Sequence, residues 1–484
     1  MTDSGDEPGG GSLWAGRFST PPAAAAHALG RSLHFDMRLA SVDVEASIAH
    51  VGALQRAGLL DASEAAALEE ALVAVGGDIA AGRFAFHDAD EDVHSAVERG
   101  VTERLGDLGA KLHAGRSRND LVVTDMRLWM LAAERRIDDL VALLCETLIG
   151  RAREHAETVM PGTTHARFAQ PVTLGHHLLA HTWALARDLD RLHDWSVRAS
   201  VSALGAGATA TSTLGLDFEA TATHLGMQRA FSNSIDAVSD RDFVQEFLAV
   251  ATICATHLSR LASDLARWTD ESLGWASLDE AYSTGSSMMP QKRNPDTVEL
   301  TRAKAARVAA DFGAVTMLLQ GLPLGYQRDL QEDKAPLFDA VAVFEASLGV
   351  LAGMLDTLDV DRARMREAAD EGYTTATAVA DALVRRGIPF RVAHHVVGSL
   401  VAQAEEAGVG LAEVPDSMIG LALGASGDEG AKALAADEAI GDTLRGAASV
   451  DGALATCDVI GGTAPVRVAA ALRAARARLD DSTT

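Results

Sequence analysis

Cysteine, tyrosine and positive charge are all scarce in this chain. Its 484 residues include three cysteines, Cys145, Cys254 and Cys457. They are far apart and odd in number, so they give neither a disulfide framework nor a thiolate metal cluster, and a cytoplasmic, reducing setting is expected. Aromatic residues make up only 5% of the chain against 48% hydrophobic residues. With Ala and Leu everywhere, that balance favours helices over strands. Lys and Arg number 42 against 68 Asp and Glu, a formal charge of −26. Such a field argues against a nucleic-acid partner, and an anionic substrate would need a local cationic island. No long apolar run reads as a membrane span, and the N-terminus lacks a basic-then-apolar signal. Residues 1–12 are Gly-rich and acidic and are expected to be a disordered tail.

Small polar groups are concentrated in a few places. Residues 283–296 read STGSSMMPQKRNPD and lie between two helical runs. The stretch ends in a helix-entry signature, with Asn294 expected at the N-cap, Pro295 at the first helical position and Asp296 in the first turn. Paired serines and Lys292 next to a helix N-terminus suit an anion. Residues 111–120, KLHAGRSRND, place two arginines, a serine and an asparagine directly before a long helix. Arginine forks match carboxylates bidentately, so this segment is either a basic cap or a carboxylate cradle.

Helical periodicity is strong in the middle of the chain. Met126, Met130, Ala133, Ile137, Leu140, Leu144 and Leu148 fall on one stripe. Phe247, Ala251, Cys254, Leu258, Leu261, Leu265 and Trp268 form another, alternating steps of four and three. Long helices are expected near 120–148, 171–200, 242–269 and 295–319, forming a bundle with more apolar stripe than one subunit can bury. Oligomerisation through that bundle is therefore expected. His94, beside two acids, reads as a solvated or capping residue. His177 and His181 are four apart, but no acid or third ligand lies near them in sequence, so no metal site is expected. The glycines at 205 and 207 follow no strand pattern and are read as a polar loop, not a dinucleotide motif. Tyr326 is one of three tyrosines and sits in a dense polar run.

Several separated segments agree on one resemblance. LWAGRF (13–18), GRSRND (115–120), MPGTTH (160–165) with AQPV, NSIDAVSDRDF, the 283–296 stretch, LPLGYQRDLQEDK (322–334) and GGTAP (461–465) together resemble the argininosuccinate lyase family of the fumarase/aspartase superfamily. The 283–296 loop alone indicates the superfamily; GRSRND with LQEDK points to this branch. The resemblance implies an all-α fold with a long central helical bundle flanked by two smaller helical domains. The corresponding boundaries are an N-terminal domain at 13–118, the bundle at 119–370 and a C-terminal domain at 371–484. It also implies a homotetramer, active sites built from three subunits, no cofactor and no metal. The implied reaction is anti-elimination of argininosuccinate to arginine and fumarate, a step of arginine biosynthesis.

By position, the resemblance assigns Ser286 as the catalytic serine, His165 as the catalytic histidine, Glu299 as its carboxylate partner and Lys292 as a catalytic cation. Lys292 and Asn294 match residues near the substrate carboxylate. Ser32, Arg118, Asn119, Thr164, Tyr326, Gln331 and Lys334 match substrate contacts. The chain departs from the pattern at Leu121, Arg167, Phe168, Ala206, Thr209, Thr211 and Cys457. Those departures leave open a related C–N lyase that releases fumarate from a different N-succinyl amine. A helical protein that has lost the activity is a third reading. A serine hydrolase is disfavoured because the Gly-x-Ser-x-Gly elbow is missing.

Overall fold

The computed structural model describes residues 23–482. The Leu13–Phe18 patch and the acidic 1–12 stretch lie outside the described residues. The principal helices are α1 (Ala40–Arg56), α2 (Ala62–Ala80), α3 (Val93–Leu105) and α4 (Arg118–Glu154). A hairpin, β1 (Val159–Thr164) and β2 (Arg167–Thr173), precedes α5 (Leu174–Ala199) and α6 (Asp242–Trp268). The short strands β3 (Thr284–Gly285) and β4 (Arg293–Asn294) come before α7 (Asp296–Leu319) and α8 (Lys334–Asp356). Among the described residues the strands form only two-stranded ladders, and the fold is all-α.

The expected stripes are the buried ones. On α4, Met126, Met130, Ala133, Ile137, Leu144 and Leu148 are buried, with Leu140 half-buried. All seven residues of the α6 stripe are buried. α4 is longer than expected at both ends. α5 starts later, because Pro171 sits in β2, where its missing N–H is tolerated. The segment Arg328–Asp356, where no membrane span is expected from sequence, is long and apolar enough to cross a membrane by length and composition. Its most apolar stretch is 61% buried, as in a core helix.

The chain divides into two compact units. The first comprises residues up to Asp138, Arg191–Thr252 and Arg307–Val343. In it, α1, α2 and α3 pack together through Leu54, Leu68, Leu72, Val75 and Val97. Capping boxes start two of these helices, at Asp61 with Glu64 and at Asp92 with Ser95. The second comprises Asp139–Asp190, Ile253–Ala306 and Phe344 onward. It contains a separate helical core built on Val379, Leu383, Val396, Leu400, Leu423 and Leu444. Here β1 packs on the Arg362–Asp370 helix, with Val159 buried alongside Ala369.

Candidate active site

In the first unit a cavity of about 970 Å³ is lined by Ser32, Arg118, Asn119, Tyr326, Gln331 and Lys334, six of the twelve residues expected from sequence. Local chemistry fixes Arg118, Ser32 and Lys334. The segment before α4 is tied down by Arg116 Nη1 donating to Ser47 Oγ at 2.9 Å and by the His50 ring 3.0 Å from the Ala114 carbonyl. Arg118 then meets Asp92, the N-cap of α3. Burial opposes ionisation of Asp92, but the Arg118 and His94 charges and the Ser95 hydrogen bonds hold it at about 2. Ser32 Oγ donates to Asp36 at 2.5 Å, and Asp36 in turn accepts the Val93 amide. Burial pushes the Asp36 carboxyl up. Lys334, at the start of α8, is buried with its ammonium 3.1 Å from Asp333, which also pairs with the fully buried Arg241.

The expected cationic island is not what lines the cavity. Arg118 is matched to Asp92 and Arg328 to Glu91, and Asp36, Asp90 and Glu98 also face the space. The cavity offers sites for cationic as well as anionic groups of a ligand.

His94 corrects a sequence reading. It is buried, 4% exposed, with Nδ1 2.6 Å from Asp43 and 3.2 Å from Asp125. Burial opposes its charging, yet the two carboxylates favour the imidazolium strongly. Its Nε2 has no partner, and His94 lines the cavity. A charged imidazole carries a proton on that nitrogen too, so His94 keeps one buried, unsatisfied N–H beside the cavity. In sequence only the neighbouring acids hinted at it; Asp43 and Asp125 are brought in by α1 and α4.

Asp120 explains the 205–211 loop. Its Oδ2 accepts the Gly205 and Gly207 amides at 2.9 and 2.8 Å, and its Oδ1 accepts that of Ser117 at 3.0 Å. Burial pushes its carboxyl up to about 6. Gly205 and Gly207 both have positive φ, and a Cβ on Gly205 would strike the Phe218 ring at 2.1 Å. The glycines serve this turn.

The other six expected residues belong to the second unit. Thr164 ends β1 and pairs with Arg167, leaving His165 and Ala166 as a two-residue hairpin turn. Their φ values are +53° and +58°, the pattern of a type I′ turn, carried here by two residues with side chains. His165 is therefore displayed, exposed, at a strained tip. Phe168, one of the departures, stacks on Trp275 at 5.8 Å.

The signature loop is also a hairpin. Thr284 pairs with Asn294 and Gly285 with Arg293. Asn294 is thus committed to a ladder and is not the helix N-cap. α7 begins at Asp296, and the Pro295 carbonyl accepts the Val298 and Glu299 amides at 3.0 and 3.2 Å. The ladder closes the loop that carries Ser286 and Lys292. Ser286 Oγ accepts the backbone N–H of Met288 at 3.2 Å and of Met289 at 3.0 Å. Two donors on one hydroxyl oxygen favour negative charge there. Lys292 is exposed, and Met288 is 86% exposed. Glu299 lies exposed in the first turn of α7, and within one chain it forms no hydrogen bond or ion pair with His165.

Residues 16–310 match the lyase family profile and residues 373–450 the argininosuccinate lyase C-terminal profile. The argininosuccinate lyase of Frankia casuarinae is 48% identical over 468 residues, covering 97% of this chain and 98% of the relative. That of Mycobacteroides abscessus is 46% identical, covering 97% of each. Among solved structures, a variant of EDDS lyase with bound fumarate superposes with a TM-score of 0.82 at 27% identity, covering 95% of this chain and 89% of that one. A fumarate lyase from Mesorhizobium sp. BNC1, at TM-score 0.71 and 22% identity over 90% and 95% of the two chains, shares the fold. With near-complete coverage at this identity, and with the lyase signature loop folded as a closed hairpin, the chain belongs to the argininosuccinate lyase family of carbon–nitrogen lyases.

Proposed function

We propose that the protein splits argininosuccinate into arginine and fumarate by anti-elimination, as a step in arginine biosynthesis. The observation that carries the reading is Ser286, whose oxygen takes two backbone N–H groups on the exposed signature loop. Ser286 is the base. It removes the proton from the carbon next to the succinyl carboxylate, and the C–H electrons pass into that carboxylate as an aci-dianion. Lys292 and Asn294 hold the dianion. Its collapse forms the fumarate double bond and breaks the C–N bond, and the nitrogen keeps that pair. His165, or a water it holds, supplies the proton to the departing nitrogen, with Glu299 orienting the ring.

Ser32, Arg118, Asn119, Thr164, Tyr326, Gln331 and Lys334 are the substrate contacts. The mixed cavity lining suits this substrate, which carries carboxylates together with an ammonium and a guanidinium. The unpartnered His94 N–H gives one more place for a carboxylate.

The same reading takes the chain to be a homotetramer with sites shared between subunits. His165 and Glu299 are both exposed in one chain, and Leu143, Ile253, Leu300 and Met317 leave apolar surface on the long helices. None of the three cysteines is in a disulfide, in keeping with a cytoplasmic setting.

Purified protein incubated with argininosuccinate is expected to release fumarate, followed by its ultraviolet absorbance. No release from argininosuccinate, with release from another N-succinyl amine, would move the assignment to a sister activity.

A further inference from the structure

No acid lies near His177 and His181 along the chain. The fold supplies one. Both histidines lie on α5, four residues apart and so on one face, and α6 brings Asp264 against them. The Nε2 atoms of His177 and His181 lie 2.8 and 2.9 Å from the same Asp264 oxygen, Oδ2. The three atoms lie within 4.8 Å of one another.

We propose that His177, His181 and Asp264 form a binding site for a divalent first-row transition-metal ion of the Zn2+ class. Two imidazole nitrogens and one carboxylate oxygen are a donor set of that class, whereas Mg2+ and Ca2+ take oxygen ligands. Tetrahedral bonds of ~2.0–2.2 Å set ligand atoms about 3.3–3.5 Å apart, so the Nε2–Oδ2 pairs need open by only roughly half an ångström. The three side chains are 25%, 13% and 33% exposed, which gives an ion a way in and leaves a fourth position for water.

Packing holds the rings ready. The edge of one ring faces the other in the His177–Trp268 pair at 5.2 Å, and the two imidazoles sit 5.6 Å apart. In the metal-free form both Nε2–H groups donate to Oδ2. On binding, each ring's proton moves to Nδ1 or to solvent, and Nε2 turns its lone pair to the metal. None of the three residues takes part in the elimination proposed above, so the site stands or falls separately from it.

Full-length protein, stripped with a chelator and moved to chelator-free buffer, is titrated with Co2+ and then with Zn2+. The expected result is a visible Co2+ ligand-field band that saturates at one ion per chain and is displaced by Zn2+. His181→Ala and Asp264→Asn are each expected to weaken binding by about 100-fold or more. Asp264→Asn keeps the volume and a hydrogen-bond acceptor, so it separates lost ligation from lost folding. Ser286→Ala is expected to bind Co2+ like the parent chain. Zn2+ raises the melting temperature of the parent chain and not of Asp264→Asn. A parent chain that takes up no Co2+ at micromolar concentration, or variants that bind as it does, would overturn the proposal.

Discussion

Removing single atoms around Ser286 tests the elimination most directly. Each hydrogen bond from a neutral donor to a charged acceptor contributes ~1.5–3 kcal/mol. Two such bonds on Ser286 Oγ, from the Met288 and Met289 amides, therefore favour the alkoxide by ~3–6 kcal/mol, or ~10²–10⁴-fold in population at about 1.4 kcal/mol per factor of ten. Ser286→Ala removes the base altogether and is expected to lower kcat by ~10²–10⁴-fold. The site is only half-buried, so the melting temperature should hardly move. Met289→Pro deletes the shorter donor and also fixes φ at 289, and kcat should fall by at least the roughly 10–150-fold that corresponds to one bond of ~1.5–3 kcal/mol. Met289→Ala keeps the amide and should leave kcat within about twofold. Initial rates of fumarate appearance over a range of argininosuccinate concentrations separate kcat from KM. If Ser286→Ala kept a tenth of the parent kcat, or if Met289→Ala and Met289→Pro lost equal activity, the serine base would have to be abandoned.

Three further outcomes follow from particular contacts. Ala166→Gly removes a side chain from φ +58°, a conformation costing ~1–2 kcal/mol for L-residues, partly offset by ~0.4–1 kcal/mol of unfolded-chain entropy; a net gain of up to about 1.6 kcal/mol should slow hydrogen exchange of the hairpin amides. Arg241→Ala leaves the buried Asp333 with Lys334 as its remaining cation and one oxygen without its donor, and a loss of ~1–3 kcal/mol should appear as a lower urea midpoint. His94 is pushed up to about 10 despite its burial, because its Nδ1–H donates to Asp43 and the Asp125 carboxylate lies 3.2 Å away. A raised histidine contributes its stability below the unfolded value of ~6.5 and loses it as pH climbs towards the folded value, so the melting temperature should fall from pH 6.5 to 10. In His94→Gln that slope should flatten; an unchanged slope would mean the imidazolium is not formed.

Some of this molecule was readable from the order of residues. The α6 stripe from Phe247 to Trp268 could be traced because burial on one helix face repeats every three or four residues, and the same logic located α4. The GSSMMPQKRNP loop could be read because it is contiguous. The β1–β2 hairpin escaped because its turn residues, His165 and Ala166, are not the Asn-Gly pair that usually marks positive φ. Asn294 misled for a related reason: its capping chemistry is real, but pairing with Thr284 claims the backbone first.

Sequence by itself determined the family and the helical class, because both rest on local pattern and on contiguous motifs. Tertiary structure decided which acids meet which histidines. Asp43 and Asp125 converge on His94, and Asp264 on His177 and His181, from helices 31 to 87 positions away along the chain. Pairings at that range are set by how helices pack and not by any spacing, so a charged histidine and a three-ligand cluster became visible only when the helices were placed together.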